Sequence, residues 1–253
     1  MIKAVKKAID ILRLLSDDPE KAMTVSEIAT SVNITKPTCS HLLETLCESL
    51  FVERVSRKEG YRLGAGTFML TRYGRYQESL IQLASPIIQW LRKQTEATSL
   101  LAVVCDGTKY IIFNAEGDNN SLMNDGDIRQ GNIAVTATGK LMMAFMDPDS
   151  LNRVLYRLEA DSPRSQLTKM QMEEFELIRK RGYAHVLDDT NDHIHSYAFR
   201  VHDGTKTVAA VGLFYPIYRD NEELRAKVIK SGLAAATEIS RRLMFTAQSD
   251  LER

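Results

Sequence analysis

The chain has 253 residues, 44% hydrophobic and 26% charged, which suffices for two globular domains with their own cores. No apolar run is long enough to span a bilayer and no apolar leader opens the chain, so a cytoplasmic protein without a membrane partner is expected. The cysteines, Cys39, Cys47 and Cys105, are odd in number and lack metal-type spacing, which excludes a disulfide framework. The zero net charge argues against nucleic acid at first sight, yet residues 1–75 hold twelve Lys/Arg against nine Asp/Glu, an excess of +3 balanced by the remainder.

In chain order, residues 2–16 predict an amphipathic helix, with Ile2, Val5, Ile9, Leu12 and Leu15 at helical spacing. Asp17, Asp18 and Pro19 end it. Thr24-Val25-Ser26-Glu27 is a capping box that starts a short second helix with Ile28 and Val32 inward. Thr35 caps a third helix, with Pro37 in its first turn and Leu42, Leu43, Leu46 and Leu50 as its buried stripe. Residues 51–55 and 61–63 read as strands joined by the charged turn 56–60. Three helices and a hairpin make a winged helix-turn-helix over residues 1–66.

A linker helix is expected over 67–83, and a further helix opening at Pro86. Residues 84–253 then alternate strands and helices. Strands are expected over 100–105 and 110–114 around the turn 106–108, followed by a Gly/Asn-rich loop over 117–131. Helices follow over 136–146, 148–158 and 168–181, with Thr168 and Gln171 as a capping box and Gly182 at the end. Strands over 197–202 and 207–214 meet at Asp203-Gly204, and a long helix over 221–245 closes the chain. The expected fold class is α+β: a winged helix-turn-helix, a linker helix and an α/β domain around a central antiparallel sheet.

In a helix-turn-helix the second helix of the pair enters the major groove, and its first turns meet base edges. Thr35, Lys36, Thr38, Ser40 and His41 hold those positions, with Ser26 on the preceding helix. Arg57 and Lys58 stand at the hairpin tip, where a wing meets the minor groove or backbone, and Arg62 adds a phosphate contact. Each residue alone reads equally well as a helix cap or a solvated side chain. The arrangement as a whole points to a double-stranded DNA operator.

Several segments carry a family resemblance. Val5–Leu15, Thr24-Val25-Ser26-Glu27-Ile28-Ala29, Thr35–Leu46 and Tyr61-Arg62-Leu63-Gly64 resemble the IclR family of bacterial transcription regulators. Ala137-Thr138-Gly139-Lys140 is similar to that family's Ala-x-Gly-Lys helix, Arg181-Gly182-Tyr183-Ala184 to its Arg-Gly-Tyr element, and Val208–Val211 to its last core strand. The resemblance implies a GAF-like sensor domain, a homodimer or homotetramer with contacts through the linker and C-terminal helices, and a small organic effector that alters operator binding. It implies repression more often than activation. The chain departs from the family at His41, where arginine is usual, and at Ser40.

The resemblance also implies an anion site on the backbone amides of Ala137 and Thr138, beside Gly139, at a helix start where free N–H groups favour negative charge. Thr136 either contributes a hydroxyl or simply caps the helix. Other contacts for small acids do not carry over. Ser196 stands where a cysteine is common, Val186 replaces a polar acidic residue with Asp188 two positions on, and Gly212 and Phe214 replace two serines. A pocket without these partners leaves small polar acids unpaired. A more apolar or aromatic effector with an anionic end is therefore expected, with Asp188, His195, Ser196, Tyr197, Gly212 and Phe214 around it. Arg200, in place of a common proline, either pairs with that anion or points to solvent.

His193-Ile194-His195 lies near His185, Asp188, Asp189 and Asp192, and on a strand both imidazoles would face one side. The segment reads equally as a loop, so no metal is assigned. No catalytic residue or cofactor is assigned either. There is no Gly-x-Ser-x-Gly or Walker loop, and Gly64-x-Gly66 lacks a third glycine. The alternatives to an effector-responsive regulator are a DNA-binding scaffold with a degenerate pocket and, further off, a small-molecule enzyme.

Overall fold

A computed structural model describes residues 2–56, 59–71, 77–105, 107–117, 129–130, 133–161, 169–188 and 193–251. Arg57, Lys58, Asp106, residues 118–128 of the expected loop, Thr168, Asp189 and Asp192 lie outside the described residues. The chain divides into two compact units, Met1–Tyr76 and Gln77–Arg253.

The first unit contains α1 (Lys3–Ser16), α2 (Val25–Ser31), α3 (Lys36–Glu48), β1 (Val52–Ser56), β2 (Gly60–Leu63) and α4 (Ala65–Thr71). The capping box forms as expected: Thr24 Oγ1 accepts the Glu27 N–H, and the Glu27 carboxylate accepts the Thr24 N–H at 2.7 Å. Thr35 caps α3, with Pro37 in the first turn where its missing N–H leaves nothing unpaired. Ile11, Leu15, Ile28, Cys39, Leu43, Leu46 and Val52 form the core of this unit. Two details of the expected stripes change. Ile2, Val5 and Ile9 are exposed, because α1 turns Ala8, Ile11, Leu12 and Leu15 to the core. Leu50 is also exposed, since α3 ends at Glu48 and Leu50 takes a left-handed φ of 62°.

β1 and β2 pair antiparallel, Glu53 opposite Arg62 and Arg54 opposite Tyr61. Met23 adds a bridge to Tyr61, each N–H donating to the other's carbonyl at 2.8 Å. Gly60 permits this approach. Its φ is +100°, and a Cβ there would sit 2.1 Å from the Met23 carbonyl oxygen.

The second unit contains α5 (Glu78–Thr95), β3 (Thr98–Cys105), β4 (Thr108–Ala115), β5 (Arg129–Gln130), α6 (Ala137–Ala144), α7 (Pro148–Asp161), α8 (Lys169–Arg181), β6 (Tyr183–Asp188), β7 (Ile194–His202), β8 (Thr207–Pro216) and α9 (Glu222–Leu251). No helix opens at Pro86, which lies inside α5. That helix starts behind Gln77, itself left-handed at φ 58°, so residues 67–83 do not form one continuous helix. The six strands form an antiparallel sheet in the order β5-β4-β3-β8-β7-β6.

Side chains alternate across each strand and so address two different layers. Tyr197, Phe199, Val201, Ala209, Val211, Leu213 and Tyr215 pack against α5 and α9. Ala184, Ala198 and Ala210 pack against α6, α7 and α8. The small residues of this second face let the helices approach closely. Lys140 of α6 donates to Glu174 of α8 at 2.9 Å, which gives the lysine of the Ala-x-Gly-Lys element a structural task.

Candidate nucleic-acid interface and effector pocket

On the first unit, Ser26 of α2 and Lys36, Thr38, Ser40 and His41 of α3 are exposed. Thr35 is exposed too, but its hydroxyl is engaged as a cap and lies 2.9 Å from the Thr38 hydroxyl. Exposure leaves Lys36, Ser40 and His41 available to a groove, while Thr35 and Thr38 stiffen the helix start that presents them. Arg62 is not free: its Nε donates to Glu53 across the hairpin at 2.6 Å. Sequence reasoning passed over Glu44, whose carboxylate lies 3.9 Å from His41 Nδ1 one turn along α3. The i, i+3 spacing was the available signal.

On the second unit, α6 starts over the sheet. The Thr136 hydroxyl accepts the Gly139 N–H at 3.0 Å, so Thr136 is a cap. Among the described residues the N–H groups of Ala137 and Thr138 have no hydrogen-bond partner, as the geometry of a helix start dictates. Ala137, Thr138 and Gly139 are all buried. Below them lies Gly212, where a Cβ would come within 2.7 Å of Leu100 Cδ1 and 3.1 Å of Thr138 Cγ2. Phe214 packs with Leu100, Ala102, Ile111 and Ile194, and Ser196 stands opposite it in register. Asp188 pairs in register with Ile194. The structure thus sets Thr138 against Gly212, and strand alternation puts Phe214 and Ser196 on the same face of the sheet.

His195 and Tyr197 do not join them. Strand alternation turns both to the opposite face, where Tyr197 packs in the core under α5 and α9. There His195 Nδ1 lies 2.9 Å from His185 Nε2 of β6, and His195 Nε2 lies 3.5 Å from Asp220 Oδ2. Asp220 also accepts the Tyr215 hydroxyl at 3.0 Å and the Arg225 guanidinium at 2.9 Å. The Arg225 hydrogen bonds hold the Asp220 carboxyl down at about 2. Burial first, then the neighbouring His195, pushes His185 down to about 4. Burial likewise pushes the Tyr215 hydroxyl up. Of the two readings of His193, the loop is the one found: it is exposed, left-handed at φ 48° and outside β7, and does not converge with His195. Among the described residues no three His, Cys, Asp or Glu side chains gather as a metal site. Arg200 neither reaches the open amides nor points freely to solvent. Its Nε donates to the Thr207 hydroxyl at 2.8 Å and its guanidinium lies 4.3 Å above the Phe145 ring.

Comparison with known proteins decides the family. Residues 4–56 match the IclR helix-turn-helix domain, and residues 76–241 match the bacterial transcriptional regulator IclR C-terminal domain. The chain belongs to the IclR family of transcriptional regulators. It is 28% identical over 256 residues to the glycerol operon regulatory protein of Streptomyces coelicolor, covering 96% of each chain. It is 22% identical to the regulator KdgR of Escherichia coli over 96% of this chain and 94% of that one. Among solved structures, an IclR homologue from Microbacterium hydrocarbonoxydans complexed with 4-hydroxybenzoate superposes with a TM-score of 0.75 at 16% identity, covering 95% and 98% of the two chains. The Thermotoga maritima IclR superposes with a TM-score of 0.66 at 25% identity, covering 96% and 100%. These IclR domains and relatives are regulators, not enzymes, which removes the enzyme alternative. No helix among the described residues is long and apolar enough to cross a membrane.

Proposed function

We propose that this IclR-family regulator binds an operator through α3 and the β1–β2 wing, and releases or retains it according to a small organic effector bound between α6 and the sheet. The observation that carries the reading is the pair of open N–H groups of Ala137 and Thr138 above Gly212 and Phe214. Helix-start amides favour an anion, and the apolar floor favours a ring or hydrocarbon body. An aromatic or apolar carboxylate fits both, in line with the 4-hydroxybenzoate bound by the Microbacterium relative. Gly139 offers this site no donor, because its N–H is taken by the Thr136 hydroxyl. Repression is the mode we assign, in the cytoplasm, by a homodimer or a dimer of dimers. The exposed Ile2, Val5 and Ile9 of α1, Met69 and Leu70 of α4 and Phe245 of α9 supply apolar surface for subunit contact. Coupling between operator and effector runs through the segment that joins the two units at residues 76 and 77, so the expected boundary at residue 84 is not kept.

The test is titration of purified protein against the DNA upstream of its own gene at several salt concentrations. Nanomolar-range binding that weakens steeply with salt supports specific phosphate-tracking recognition. Lys36→Ala is expected to weaken binding on all sequences and to lower the salt slope by about one unit. Heat protection by 4-hydroxybenzoate but not by glyoxylate supports the pocket. Protection by neither, across a panel of carboxylates, favours the scaffold alternative.

A further inference from the structure

The face of the sheet away from the pocket carries a histidine pair that the regulator's DNA and effector sites leave unexplained. His185 Nε2 and His195 Nδ1 are 2.9 Å apart, and the two rings are nearly coplanar, 7° between planes with centroids 5.2 Å apart. The centroid separation exceeds the N···N distance by 2.3 Å, which is what two in-plane centre-to-nitrogen radii occupy. The two nitrogens therefore lie on the line of centres, each lone-pair axis aimed at the other ring. Two imidazoles binding one tetrahedral metal would instead aim at a third point, with nitrogens about 3.3 Å apart. The geometry is that of a shared proton.

We propose that His185 and His195 are a proton-sharing clasp that ties edge strand β6 to the turn before α9, closed with no added proton or one and opened by two. Asp220, kept ionised by Arg225, fixes the direction of the chain. His195 puts its hydrogen on Nε2, toward Asp220, and presents a bare Nδ1; His185 donates to it from Nε2. One added proton enters on His185 Nδ1 and leaves every hydrogen bond in place, since the bridging hydrogen can move to His195. A second sets N–H against N–H across 2.9 Å and breaks the link.

The surroundings oppose that second proton. Arg181 at the end of α8 lies over Tyr183 of β6, with its guanidinium 4.5 Å from the ring. Tyr197 of β7 stacks on His185 at 4.5 Å, and Tyr215 of β8 on His195 at 5.4 Å. Asp220 from the turn and Arg225 from α9 complete the charged groups, and α5 offers this face the apolar Leu80, Ala84, Ile87, Ile88 and Leu91. Two guanidinium cations thus outnumber one carboxylate beside rings whose partner, His195, is only 8% exposed. The depressed titration of His185 agrees with this balance.

β6 is the last strand of the sheet, paired on one side only, and the clasp adds a side-chain link from it through His195 to the turn before α9. The test is imidazole 15N NMR on the full chain from about pH 8 to about pH 3, with amide protection factors measured on either side of the lower step. Two separated proton steps are expected, the lower on His185, and below it the protection of the β6 amides, relative to the intrinsic exchange rate at each pH, falls at least about tenfold. His185→Gln, which keeps a donor but cannot titrate, should stay folded, lose the lower step and flatten the exchange response. Independent titration of the two histidines in overlapping steps overturns the proposal, as does β6 protection unchanged through the lower step. Zinc binding that shifts both imidazoles together also overturns it.

Discussion

The two faces of the β7–β8 pair come from the same residues read in alternate steps, yet they do opposite things. On the α5/α9 face, His195, Tyr197, Phe199 and Tyr215 are buried, and the polar atoms of His195 and Tyr215 meet partners through His185 and Asp220. On the α6 face, Ser196, Gly212 and Phe214 lie beneath two amides without partners among the described residues. Completed polar contacts stiffen a scaffold, whereas amides left without partners are what the proposed effector site would use. The difference lies in satisfaction, not in hydrophobicity.

Breaking the scaffold face should cost most. Phe199 is fully buried beside Gly232 and Tyr183, so Phe199→Ala is expected to destabilise the second unit by about 3–5 kcal/mol, read by urea unfolding. Gly212→Val attacks the other face. Its side chain must enter the space held by Leu100 and Thr138, so effector protection should vanish while stability falls by about 1–3 kcal/mol, read by ligand-dependent melting. If the variant melts lower yet still responds to effector, the pocket lies elsewhere.

Acid should separate the faces further. His185 titrates at about 4 in the folded chain, below its ordinary value of 6.5. As pH falls the unfolded chain takes this proton first, so the contribution to stability is complete above about 6.5, declines between 6.5 and 4, and is flat below. Unfolding midpoints of the parent and His185→Gln should therefore converge across that window. Phe214→Ser, at 9% exposure and packed on Leu100, Ala102, Ile111 and Ile194, should also cost about 3–5 kcal/mol, together with a turn of preference toward smaller, more polar acids, read by thermal shift.

The first unit was legible because its signals are local. The Thr24–Glu27 box, the Thr35 cap and Pro37 act within one turn of the residues that encode them. Leu50 misled because it continues the spacing of Leu46 past the point where the backbone turns left-handed. β6 escaped notice for another reason. Tyr183–Asp188 is a strand because β7 pairs with it, and that partner is not written in its own residues. The Ala137-Thr138-Gly139 motif did mark a helix start, capped by Thr136 and set against Gly212 of β8. His195 and Tyr197 were grouped with Ser196, although alternation alone forbids 195, 196 and 197 from sharing a face. Which parity faces α6 is decided only by the layers packed on either side.

The bridge between Met23 and Tyr61 has a mechanical meaning. Two 2.8 Å hydrogen bonds tie Tyr61, at the turn end of β2, to the residue just ahead of the Thr24 cap. A load applied to the hairpin passes directly into the start of α2 instead of being absorbed by a hinge. The hairpin and the start of α2 are thus one mechanical piece, and a change that loosens either is felt by the other.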